Sequence, residues 1–84
     1  MGNSDAALLA QLQRRPRDSV RLVVRVTGDT SLAASRLASR GATVLHVFDL
    51  IKAISISCSG ETALALVREP WVSSVEEDRR VSAQ

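Results

Sequence analysis

A chain of 84 residues has room for one domain, and at that size only about 60% of the unfolded surface is buried, which leaves little for a deep pocket. With 45% hydrophobic and 24% charged residues it is too apolar for a disordered chain, and with only Phe48 and Trp71 as aromatics beside a net charge of +2 it offers no stacking platform for nucleic-acid bases. The single cysteine, Cys58, excludes an internal disulfide and a multi-cysteine metal cluster, and no apolar run is long enough to span a bilayer.

Taken in order, "SDAALLAQLQRRPR" opens with a capping residue at Ser4 or Asp5 and carries Leu8, Leu9 and Leu12 on one stripe at helical spacing, with Gln11 and Gln13 off it. Pro16 ends the pattern. Residues 1–19 therefore read as a short helix or an N-terminal arm, holding the densest basic patch, Arg14, Arg15 and Arg17. In "VRLVVRV" the residues Val20, Leu22, Val24 and Val26 face one way, and Arg21, Val23 and Arg25 the other. That is the signature of a half-buried strand.

"TGDTSLAASRLASRG" supplies Asp29 or Thr30 as an N-cap, Leu32, Ala33 and Leu37 at helical spacing, and Gly41 where a left-handed C-cap is expected. "ATVLHVFD" and "LIKAISISCS" read as two strands linked near Asp49 and Leu50. Val44, His46 and Phe48 are expected on one face of the first; Ile54, Ile56 and Cys58 share a face of the second, with Ser55 and Ser57 opposite. A capped helix follows in "SGETALALVREP", with Ala63, Leu64 and Val67 inward and Pro70 as its stop. Val72 to Asp78 reads as a last strand.

The order β-α-β-β-α-β, with right-handed crossovers, predicts an α+β ferredoxin-like sandwich: a four-stranded antiparallel sheet with two helices on one face. Such a fold fixes no function. His46 is the only histidine, so neither a Ser-His-Asp arrangement nor a zinc site is suggested. Lys52 sits next to the strand turn and reads as solvated, and Cys58 as a small buried hydrophobe. There is no glycine-rich phosphate loop. The residues point to a protein that is not an enzyme and needs no metal or cofactor.

What remains is the triplet Glu76-Glu77-Asp78. Acidic triplets are in general solvated edges, but in a strand Glu76 and Asp78 project from one face and Glu77 from the other. Two carboxylates on one outward face repel each other and gain from a partner that brings positive potential, such as helix N-termini. Each such contact is worth about 0.3–1 kcal/mol when exposed and up to about 2 kcal/mol when partly buried.

The stretch "REPWVSSVEEDRRVSAQ" resembles the C-terminal end of the propeptides of subtilisin-like serine proteases and of the small standalone inhibitors related to them. Upstream, "VRLVVRVTG" is similar to that family's first strand, "LAASRLASRGATVLHVFDLIKAISIS" to its helix, glycine and central hairpin, and "ETALALVREP" to its second helix. The likeness covers residues 20–84 at the level of pattern and is closest between Pro70 and Asp78. It implies a propeptide-like inhibitor domain over 20–84 with a tail at 79–84. It further implies inhibition, and chaperoned folding, of a subtilisin-like protease. Glu76 and Asp78 would cap two helices of the protease; Val81 would fill its S4 pocket, Ser82 and Ala83 would follow, and Gln84 would face S1. Gln84 is a poorer S1 group than a large apolar residue, and Arg79 and Arg80 depart toward proteases that cut after basic residues.

Small residues in an extended tail suit strand addition in a cleft on physical grounds as well. The expected partner is thus a protease, with no nucleic acid and no membrane, and the free chain is expected to be monomeric. The chain as given begins without a basic-plus-apolar leader, as expected for a cytoplasmic protein or for part of a processed secreted precursor. The alternative on the same fold is a regulatory module that dimerises or binds a small metabolite. Its mark would be a glycine-rich turn after the first strand, where this chain has only "TGDT".

Overall fold

Val20, Leu22, Val24 and Val26 form the inner face of strand β1 (Ser19–Val26) in the computed structural model, which describes residues 6–78. Leu22 and Val24 are wholly buried. β1 lies at the centre of the sheet, antiparallel to both β3 (Ala53–Ser59) and β4 (Val72–Glu77), and β2 (Thr43–Phe48) pairs with β3 to give the order β2-β3-β1-β4. Helices α2 (Thr30–Ser39) and α3 (Gly60–Leu66) pack on one side of it. The fold is the ferredoxin-like βαββαβ sandwich.

Helices α2 and α3 each start on a residue whose side chain accepts from free N–H groups of the first turn. Asp29 accepts from the backbone of Ser31 and Leu32 at the head of α2, and the Ser59 hydroxyl accepts from Thr62 in α3. Past α2, Gly41 takes φ +96°, a left-handed conformation that suits glycine. The turn between β2 and β3 is tied to the start of α2 and the loop before it: the Thr30 hydroxyl donates to Asp49, and Lys52 Nζ donates to the Gly28 carbonyl at 2.6 Å. Lys52 itself adopts φ 56° there.

The core gathers Ala33 and Leu37 of α2, Ala63 and Leu66 of α3, and Ile54, Ile56, Val72 and Val75 of the sheet. Full burial of side chains such as Leu22, Ile56 or Leu66 is worth roughly 1.5–3 kcal/mol apiece. Ahead of β1, α1 (Ala6–Arg14) packs on α3 and adds Leu8 and Leu12 to the same core. The loop that follows it is held close: Glu61 N–H donates to the Pro16 carbonyl at 2.8 Å, and Gly60 N–H to the Asp18 carbonyl at 3.0 Å. A Cβ on Gly60 would lie 2.7 Å from the Arg15 carbonyl oxygen, so only glycine fits without a shift. The capping positions Ser4 and Asp5 lie outside the described residues.

Two details depart from simple periodicity. The register between β2 and β3 shifts between Val44 and His46, leaving Leu45 as an extra residue. Val44 therefore faces the helices, opposite Ile56, while His46 and Phe48 turn to the other face, opposite Ser55 and Ala53. The shared face expected for Val44, His46 and Phe48 is broken by that bulge. In α2, Leu32 lies on the solvent side, 52% exposed, because the helix turns Ala33 and Leu37 inward. Leu66 of α3 is deeper than Leu64 or Val67, both half-buried.

Candidate functional site

With both crossover helices on one side, the other face of the sheet, its open face, is covered by no helix among the described residues. The register assigns its residues strand by strand: His46 and Phe48 on β2; Ala53, Ser55 and Ser57 on β3; Arg21, Val23 and Arg25 on β1; and Ser74 and Glu76 on β4. Glu76 stands opposite Val23 and is exposed. Glu77 stands opposite Leu22, on the helix side, so the triplet alternates as its spacing predicts.

Asp78 extends the β4 pairing by one step, its N–H donating to the Arg21 carbonyl at 2.9 Å. Its carboxylate receives the Ser55 hydroxyl at 3.4 Å, reaching across β1 to β3. Asp78 is half-buried as a result, and its charge leans over the open face. A second shift in register, between Arg25 and Val26, bulges Ser73 out of β4, and its hydroxyl donates to the Arg25 carbonyl at 3.2 Å. This bulge lets Val72 and Val75 both face the core while Ser74 and Glu76 stay on the open face.

Of the residues singled out from the sequence, Glu76 and Asp78 thus share the open face near the end of edge strand β4. Val81, Ser82, Ala83 and Gln84 lie outside the described residues, as do Arg79 and Arg80. His46 is an exposed sheet-face residue whose ring meets that of Phe48 at 4.5 Å between centroids, tilted by 46°. Sequence periodicity did not bring these two rings to the face of Glu76; the bulge at Leu45 does.

Chemically reactive groups are sparse. Cys58 is buried on the core side, and burial pushes its thiol pKa up, away from the reactive thiolate. Among the described residues no cluster of three or more His, Cys, Asp or Glu side chains could hold a metal ion, and no helix is long and apolar enough to cross a membrane. The open face can do electrostatic work: it carries carboxylates on its edge strand, guanidinium groups on the adjacent central strand and a pair of rings on the far edge.

The chain matches no protein-family model, and no curated protein matches it.

Proposed function

We propose that this chain inhibits a subtilisin-like serine protease, binding with the open face of its sheet and with residues 79–84 laid into the cleft as a product-like strand. Glu76 and Asp78 meet the N-termini of two surface helices of the protease. Val81 enters S4, Ser82 and Ala83 continue the strand, and Gln84 stops at S1. By holding those helices before the protease core is complete, the same contact serves as a folding chaperone. No chemistry of its own is required of the chain.

The observation that supports this reading is the placement of Glu76 and Asp78 together on a face that no helix among the described residues covers, just before residue 79. Helix N-termini favour a nearby negative charge, which gives paired carboxylates on an exposed sheet face a use. A sheet face joined to a tail suits the standard interface of about 1,600 Å² found for protease–inhibitor pairs. Bulges at Leu45 and Ser73 interrupt both edge strands, which discourages edge-to-edge pairing and supports a monomeric free chain.

The regulatory-module alternative gains nothing at the β1–α2 turn. There the N–H groups of Ser31 and Leu32, which a bound anion would need, already donate to Asp29.

Residual activity of a subtilisin-like protease titrated with the full chain tests the proposal. Inhibition at micromolar concentration or below is expected, weakened sharply by deletion of Val81–Gln84 and partly by Glu76→Ala with Asp78→Ala. Full protease activity at micromolar chain, with the tail intact, would count decisively against it.

A further inference from the structure

The open face is bipolar, and its second pole has no role in the reading above. Register puts Arg21 and Arg25 on β1, directly beside the β4 carboxylates and on the same face. Glu76 lies opposite Val23, which makes both arginines its diagonal neighbours, about 7–8 Å away and within reach of a long side chain. Among the described residues, however, the salt bridges are Arg15–Asp18 and Arg40–Glu69, and neither involves Arg21 or Arg25. Both arginines are exposed. The face therefore presents two positive side chains on its central strand, with half-buried Val23 between them.

This arrangement constrains any protein that lies flat on the sheet. Neighbouring strands are roughly 4.8 Å apart, so a partner whose helix N-termini approach Glu76 and Asp78 also covers Arg21 and Arg25. Helix N-termini carry partial positive charge and repel a guanidinium at that distance. Covering two guanidinium groups while the neighbouring carboxylates are turned to those helix ends is costly as well, since each desolvated charge needs a partner. The conflict disappears if the partner supplies carboxylates one strand-width inward from those helix ends.

We infer that the protease bound by this face carries acidic side chains opposite β1, and that Arg21 and Arg25 select for them by forming ion pairs across the interface. This rests on the proposed function and adds the charge of the partner surface. A planar guanidinium meets a carboxylate through two parallel hydrogen bonds, so arginine is expected to outperform lysine at these two positions.

The test compares inhibition constants of the full-length chain and three variants against several subtilisin-like proteases, with circular dichroism to establish folding. The variants are Arg21→Gln/Arg25→Gln, Arg21→Lys/Arg25→Lys and Glu76→Ala/Asp78→Ala. For the protease that the unaltered chain inhibits best, the glutamine variant should raise the inhibition constant at least tenfold and the lysine variant by less. Neutralising the protease carboxylates that face β1 should remove that difference. If the glutamine variant folds and inhibits as well as the unaltered chain, while the Glu76/Asp78 variant is weakened, the inference falls and the proposed function stands. If the unaltered chain inhibits none of the proteases, both fall.

Discussion

With a single cysteine and no tyrosine, few side chains of this protein change charge between roughly pH 8 and 10. Cys58 is the exception. Burial raises its pKa above the ordinary value of 9.0, so the folded state keeps the thiol proton to higher pH than the unfolded state does. The stability this represents is fully present below about pH 9 and is lost as pH rises through the folded value. Urea unfolding followed from pH 7 to 11 should show the midpoint falling above pH 9, and Cys58→Ala should flatten that alkaline limb. An equally steep limb in the alanine variant would show that another group is responsible.

Gly60 makes a sharper demand of the same kind. Its Cβ would strike the Arg15 backbone oxygen at 2.7 Å, and backbone cannot swing aside as a side chain can. Gly60→Ala should therefore destabilise the fold by about 1–3 kcal/mol, the usual cost of overpacking. The loss should be accompanied by faster amide exchange in residues 6–14. Unchanged exchange there would mean that α1 does not depend on this contact.

At the level of elements, β1 and α2 were legible because their periods and caps were clear, as in Val20-Leu22-Val24-Val26 and in Asp29 ahead of α2. What was not legible was how β2 meets the core. Val44 and Val47 stand three apart, as do Val72 and Val75, and a regular strand cannot turn both members of such a pair to one side. In each case a bulge supplies the missing half-period. The spacing alone does not reveal the bulge, since Val20 and Val23 of regular β1 are three apart as well and face opposite sides. The bulge in β2 decides that His46 and Phe48 belong to the open face.

The place of α1 was equally hidden, since leucines at helical spacing do not say what they cover. In the structure Leu12 is 1% exposed, within the shared core. Leu12→Ala should cost about 2–5 kcal/mol. A chain of this length holds roughly 4–13 kcal/mol in all, so chemical denaturation should register a large fraction of its stability. A change under 1 kcal/mol would mark α1 as an appendage.

At the scale of the whole molecule, the sheet divides the chain into a structural side and an uncovered side. Leu22, Val24, Ile54, Ile56 and Val75 face the helices, while Arg21, Arg25, Glu76 and Asp78 lie on the uncovered face. That half of the site could be read from alternation in β1 and β4. The reach of Asp78 over β1 to Ser55 could not, because it depends on how three strands align. Contacts made by exposed charges weaken with salt, so inhibition through this face should weaken between low and high ionic strength. The tail, whose proposed contacts are main-chain hydrogen bonds and an apolar pocket, should carry little of that dependence. Inhibition constants at several salt concentrations, with and without Glu76→Ala/Asp78→Ala, separate the two contributions. A salt dependence unchanged by the double substitution would remove the carboxylates from the interface.

The most direct measurement is a chemical-shift map of the isotope-labelled chain titrated with an inactivated subtilisin-like protease. The account predicts perturbations concentrated at Glu76, Asp78, their β1 neighbours and Val81–Gln84, with the helix side quiet. Shifts confined to α1, α2 or α3, or no binding at all, would contradict it.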